Sequence, residues 1–102
     1  SVNPFDMVRF ILRGMSHPLE HELHSGVITI GRSPSNEFVI ADSSVSSVHA
    51  EVTVDPSGPT VRVKDLQSTN GTWINRGRIS AAVALAPDMV ISVGRTKIKV
   101  TS

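Results

Sequence analysis

Apolar and polar residues alternate along most of the chain, in short segments of the length of β-strands. In the segment TVRVKD, Val61 and Val63 alternate with Arg62 and Lys64, which is typical of a strand with one buried face and one solvated face. Further segments predicted as strands are MVRFILR at 7–13, VITI at 27–30, FVI at 38–40, HAEVTV at 49–54, MVISV at 89–93 and TKIKVT at 96–101. The intervening DPSGP at 55–59 predicts a hairpin loop.

Many short strands at regular spacing predict an all-β fold, a two-sheet antiparallel β-sandwich. The only helical candidate is SAAVALA at 80–86, and Pro87 would end such a helix within two turns. The length of 102 residues predicts one compact domain over 7–102, preceded by a flexible tail over 1–6. Core and solvent occupy the faces of a sandwich, so function is expected in the loops at one end.

Composition and charge argue against several classes of function. Ten Lys and Arg against nine Asp and Glu give a net charge of +1, so neither nucleic acid nor an anionic membrane is an expected partner. The longest apolar run, at 81–86, is too short to cross a bilayer. The absence of cysteine excludes disulfides and thiolate chemistry. Basic residues near the end of the chain are interpreted as a solvated face: Arg76, Arg78, Arg95, Lys97 and Lys99.

Three polar segments follow predicted strands and carry strong hydrogen-bond donors. GRSPSNE at 31–37 offers the guanidinium of Arg32 after a glycine that is expected to adopt an unusual backbone angle. DSSVSSVHAEV at 42–52 carries four serines and His49. DLQSTNGTWIN at 65–75 contains Asn-Gly, a strong turn signal. Taken singly, each segment is typical of an ordinary loop.

The order and spacing of the three segments resemble the forkhead-associated (FHA) domain family. The resemblance covers 7–101 and rests on a strand ending in Gly-Arg, Asn36-Glu37 before a short strand, Ser46-x-x-His49, STNGT at 68–72, and Asn75. It implies an FHA/SMAD-like sandwich whose end loops bind phosphothreonine in an extended peptide. Such a module works in the nucleus or the cytoplasm, mediates protein–protein interaction in signalling, and needs no cofactor.

The resemblance also implies roles for individual residues. Arg32 and Ser46 would contact the phosphate, with Ser47 and Thr69 nearby, and Asn70 would hold the peptide main chain. The supporting residues that it implies are Gly31, His49, Gly71 and Asn75. Their expected roles are to shape the loops and to tie the Ser46 loop to its neighbours.

Three positions depart from the family pattern. Ser47 stands where Arg or Asn is common in the family. Its short hydroxyl reaches less far, so one contact with the peptide or the phosphate is expected to be weaker or lost. Arg76 precedes Gly77 where the family usually has glycine, and Asp88-Met89 replaces a common Gly-Asp. The fold is expected to tolerate these changes. Trp73 is expected to pack in the core or at the corner beneath the Asn-Gly turn.

The sequence also contains features of two other kinds of site, and one other kind of module is compatible with it. Ser46 and His49 lack a Gly-x-Ser-x-Gly elbow and a third orienting group, so no enzyme is expected. A metal site at His17, His21 and His24 is not expected either, because Pro18 disfavours the helix that would align them. The remaining alternative is an FHA-like docking domain that binds partners without phosphate, which Ser47 leaves open.

Overall fold

The computed structural model describes residues 10–14, 20–23, 26–55, 60–86 and 89–101, and the tail predicted at 1–6 lies outside them. The described residues form strands and loops, without a helix. The strands are β1 Phe10–Gly14, β2 Glu20–Leu23, β3 Gly26–Gly31, β4 Phe38–Val39, β5 Ala50–Asp55, β6 Thr60–Asp65, β7 Thr72–Ile74, β8 Gly77–Arg78, β9 Val83–Ala84, β10 Val90–Val93 and β11 Thr96–Thr101.

The strands build two sheets. One sheet has six strands in the order β2-β1-β11-β10-β7-β8, and the other has five in the order β4-β3-β5-β6-β9. All recorded pairs are antiparallel except β3 with β4. The predicted two-sheet antiparallel sandwich is therefore confirmed. No described stretch forms a helix of the length and apolar character that a membrane span requires.

Strict alternation of side chains places the core between the sheets. In β6, Val61 and Val63 are buried while Arg62 and Lys64 are exposed, as the sequence pattern predicts. The buried apolar residues are Ile28, Ile30, Phe38, Ile40, Val45, Ala50, Val52, Val54, Val61, Val63, Ile91, Val93, Ile98 and Val100. Each fully buried Val, Ile or Phe side chain stabilises the fold by about 1.5–3 kcal/mol, so this core holds the end loops in place.

The helical candidate at 80–86 is wrong. Val83–Ala84 instead forms β9, the edge strand beside β6, and Leu85 N donates to Val61 O at 2.8 Å. Pairing with an existing sheet edge satisfies the backbone of this segment, whereas an isolated helix of two turns is unstable in water. The loop of the predicted hairpin at 56–59 lies outside the described residues, but its strands pair in register from Ala50↔Asp65 to Asp55↔Thr60.

Candidate functional site

The loop after β3 lies beside the loop that leads into β5. Arg32 N donates to Ser46 O at 2.9 Å, and Ser33 N donates to Ser47 O at 3.1 Å. The Arg32 side chain is exposed, and its Nε donates to Val45 O at 3.0 Å. No hydrogen bond or ion pair occupies its two terminal nitrogens within the described residues. The guanidinium is therefore held through Nε, and its terminal donors have no partner among the described residues.

Gly31 is required by close packing and not by its backbone angle. Its φ is not positive, so the expectation of an unusual angle is wrong. A Cβ at this position would collide with Ser47 O and lie 2.6 Å from Asn36 Nδ2. The buried Asn36 uses this nitrogen to bind Ser33 O at 2.8 Å and Ser47 O at 2.7 Å. Gly31 thus leaves room for an amide that joins the two loops.

The hydroxyl of Ser46 is the meeting point with the loop between β6 and β7. Thr69 N donates to Ser46 Oγ at 3.0 Å. The oxygen therefore accepts here, and no described residue receives the Ser46 hydroxyl hydrogen. The Thr69 side chain is exposed, and its hydroxyl is also without a partner among the described residues. Two hydroxyl donors consequently lie on adjoining loops beside the Arg32 loop.

The buried side chain of His49 joins the loop that carries Ser46 to the loop between β6 and β7. Its side chain is fully buried, Nδ1 accepts a hydrogen bond from Ser46 N at 3.0 Å, and Nε2 lies 2.7 Å from Gly71 O. Because a backbone N–H can only donate and a carbonyl can only accept, Nδ1 carries no hydrogen in this arrangement, and the N–H at Nε2 donates to Gly71 O. The hydrogen bond between the ring and Ser46 therefore involves the backbone N–H of Ser46 and not its hydroxyl.

The loop between β6 and β7 is closed by the carboxylate of Asp65. It accepts hydrogen bonds from Ser68 Oγ at 2.5 Å, Ser68 N at 3.2 Å and Thr72 Oγ1 at 2.7 Å. Burial raises the pKa of the Asp65 carboxyl, but the hydrogen bonds from Ser68 and Thr72 outweigh it and hold this pKa below its ordinary 3.8. In its ionised form, the Asp65 carboxylate therefore shapes the loop that carries Thr69.

Replacing Asp65 is expected to remove a stabilisation that depends on pH. Since the folded pKa is lowered, this stabilisation is full above the unfolded pKa of about 3.9 and is lost as the pH falls through the folded value. Asp65→Asn should lower the free energy of unfolding by about 1–2 kcal/mol at pH 7. Urea unfolding of both proteins from pH 7 to pH 3 measures the difference. A difference that stays constant over this range would contradict the assigned role.

Asn70 extends the contact to a third part of the site. Its Nδ2 donates to Ser44 O at 2.8 Å, and its side-chain oxygen has no partner among the described residues. Ser44 is itself anchored by Asp42, whose Oδ1 accepts from Ser44 Oγ at 2.7 Å. Arg95 N, in the turn between β10 and β11, donates to Ser44 Oγ at 2.8 Å. The exposed amide of Asn70 therefore lies where several loops converge.

The residues flanking Asn70 differ in their roles. Gly71 has a φ of +82°, which favours glycine. Trp73 is 36% exposed, so of the two expected positions, in the core or at the corner beneath the turn, the core is excluded. Its Nε1 nevertheless donates to Asn70 O at 3.2 Å and ties down the turn. Asn75 has a φ of +56° and binds Val90 through N–H and Oδ1, at 2.9 and 3.2 Å.

The structure brings most of the predicted site residues to one end of the sandwich. Hydrogen bonds connect the segments that carry Arg32, Ser46, Thr69 and Asn70. Ser47 takes part through its backbone, because its carbonyl oxygen accepts hydrogen bonds from Ser33 N and Asn36 Nδ2 and so joins the two loops. Its exposed hydroxyl has no hydrogen-bond partner among the described residues. Sequence reasoning missed three supporting residues, Asn36, Ser44 and Asp65. The spacing Asp65-x-x-Ser68 before the Asn-Gly turn was the available signal for one of them.

The three histidines considered as metal ligands lie only partly within the described residues. His17 and His24 lie outside the described residues, and His21 is in β2. Within the described ranges, no group of three or more His, Cys, Asp or Glu residues could hold a metal ion.

Comparisons with known proteins identify the family of this chain. The FHA domain family model matches residues 28–94, which is 67 of the 102 residues. FhaB of Mycolicibacterium smegmatis, an FHA domain-containing protein, is 33% identical over 72 residues. That match covers 71% of this chain and 45% of FhaB, so the chain spans less than half the length of this relative.

Solved structures give the same result for the fold. The FHA domain of the CT664 protein from Chlamydia trachomatis superposes with a TM-score of 0.86 at 26% identity, covering 92% of this chain and 97% of that one. An FHA domain solved in an analysis of phosphothreonine-dependent interactions has a TM-score of 0.83 at 30% identity, covering 92% and 96%. The family match and the shared sandwich together lead to one conclusion: this chain belongs to the FHA domain family.

Proposed function

We propose that this domain binds phosphothreonine in partner proteins and so mediates phosphorylation-dependent protein–protein interaction. The observation that carries the proposal is a set of unused donors on adjoining loops. The terminal nitrogens of Arg32 and the hydroxyls of Ser46 and Thr69 have no recorded partner among the described residues. A donor set of this kind suits a ligand with several acceptor oxygens.

The chemistry of a phosphate monoester matches these donors. The group carries about −1.5 to −2 charges at pH 7 and three strong acceptor oxygens. Arg32 supplies the charge and a planar pair of N–H donors, and Ser46 and Thr69 supply single hydroxyl donors. Asn70 holds the peptide main chain, because its free Oδ1 accepts an N–H while Nδ2 already binds Ser44 O.

Hydrogen bonds also hold the loops of the site together. His49, Asn36 and Asp65 are engaged in hydrogen bonds that join or close the loops before any ligand arrives. A site arranged in advance loses less conformational entropy on binding, so more of the interaction energy appears as affinity. The FHA domain with phosphothreonine-dependent interactions, which shares 30% of its sequence with this chain, supports the same ligand class.

Titration with matched peptides tests this function. The domain is expected to bind a phosphothreonine peptide and to show no measurable affinity for the same peptide without phosphate, by isothermal titration calorimetry. A phosphoserine peptide should bind at least about fourfold more weakly, since the missing methyl is worth about 0.8 kcal/mol. Equal affinity for the phosphorylated and unphosphorylated peptides would instead favour the phosphate-independent docking domain.

A further inference from the structure

A row of paired residues crosses the outer face of the six-stranded sheet next to the candidate site. Cross-strand pairing runs, in order, through Lys97, Ser92, Trp73 and Arg78. We call these four residues the outer row. Lys97, Trp73 and Arg78 are exposed, whereas the alternate position Ile91 is fully buried. The outer row therefore faces away from the core, towards a partner or solvent.

The outer row is continuous with the loop that carries Asn70. A Cβ at Gly71 would lie 2.6 Å from Nε and 3.0 Å from Cζ of Arg78, so the Arg78 side chain lies over this glycine. Trp73 adds a second link, because its Nε1 binds Asn70 O at 3.2 Å. Arg78 thus places its charge beside the residue proposed to hold the peptide main chain.

The charge on this part of the sheet is of one sign. Strands β7, β8, β10 and β11 contain Arg78, Lys97 and Lys99 and no acidic residue. The side chains of Arg78 and Lys97 make no hydrogen bond or ion pair with any other described residue. The outer face of the other sheet is balanced in comparison, since Glu51 pairs across the strands with Lys64. The net charge of +1 therefore conceals a basic region on these four strands of the six-stranded sheet.

We propose that the phosphothreonine ligand carries acidic residues on the flank that passes Asn70, and that Arg78 and the outer row recognise them. This inference rests on the proposed function of the same site. Four paired strands span about 14 Å, which is the length of roughly four residues of extended peptide. Arg78 contacts the first acidic side chain beyond Asn70, Trp73 supplies an apolar platform, and Lys97 attracts the more distant negative charge.

Peptides that differ only in their flanks test the inference. One phosphothreonine peptide has neutral flanks, one has three Glu residues after the phosphothreonine, and one has three Glu residues before it. One of the two acidic peptides should bind wild type about fivefold to tenfold more tightly than the neutral peptide. This ratio should fall to about one in Arg78→Gln and in 0.5 M NaCl, where exposed charges are screened, and Lys97→Gln should lower it less.

Arg62→Gln is the matched control, because Arg62 is an exposed arginine on the outer face of the other sheet. This variant should keep the full ratio. The inference fails if neither acidic flank improves binding, or if the improvement survives Arg78→Gln. It also fails if a 20-base-pair DNA duplex binds the domain through Arg78 without any peptide, since the face would then be a nucleic-acid site. If no phosphothreonine peptide binds at all, the proposed function itself is wrong.

Discussion

Arg32→Ala is expected to weaken binding of a phosphothreonine peptide by at least about a hundredfold. Each hydrogen bond to a charged group contributes roughly 1.5–3 kcal/mol, and a guanidinium can make two to one phosphate. Loss of both therefore exceeds the roughly 2.7 kcal/mol that corresponds to a hundredfold change in affinity. Calorimetric titration of wild type and variant with the same peptide measures the loss.

Two further variants separate charge from geometry. Arg32→Lys keeps the positive charge but loses the planar fork, so its affinity should lie between those of wild type and Arg32→Ala. Arg62→Ala, on the outer face of the other sheet, should bind as wild type does. The fold should survive Arg32→Ala, because the exposed side chain makes a single recorded hydrogen bond, to Val45 O. Unchanged affinity in a folded Arg32→Ala would remove the basis of the proposed site.

His49→Ala is expected to lower the free energy of unfolding by about 3–5 kcal/mol. The substitution leaves a cavity at a fully buried position and orphans Ser46 N and Gly71 O. Each buried polar group left without a partner costs about 1–3 kcal/mol. Since single domains are stable by about 5–15 kcal/mol in total, this is a large share. Equilibrium unfolding in urea measures the change.

Partial replacements test whether both ring nitrogens matter. His49→Asn can accept from Ser46 N, and His49→Gln can reach towards Gly71 O, so each should be less destabilising than His49→Ala. His21→Ala, in the edge strand β2, is the matched control and should cost less than about 1 kcal/mol. Destabilisation of similar size by His49→Ala and His21→Ala would show that the ring does not join the two loops.

Local patterns predict most of the strands, but not all of them. Val61 and Val63 alternate with charged residues, and this period of two already predicts a strand with one buried face. Residues 80–86 misled the same reasoning, because Ala-rich segments favour a helix locally while the free edge of β6 favours a strand. Only the sheet shows that such an edge is present.

The ordered polar segments identified the family because each combines a turn former with a donor at a fixed separation. The supporting network was less accessible. Gly31 is explained by the approach of Asn36 and Ser47, which follow it by 5 and 16 positions. Asp65 accepts from Thr72, and Ser44 binds Asn70 across 26 positions. Contacts of this kind depend on how loops fold back, which no local pattern encodes.

The sequence by itself determined most of the strands, the inward face of a strand such as β6, the loops that carry donors, and the family, since these depend on patterns along the chain. Tertiary structure decided which donors remain unused, where Trp73 faces, and that Arg78 lies over Gly71. The physical reason is register: the pairing Trp73↔Arg78 and its continuation through Ser92 to Lys97 bring distant charges into one row. A shift of one residue in any pair would turn these side chains to the opposite face.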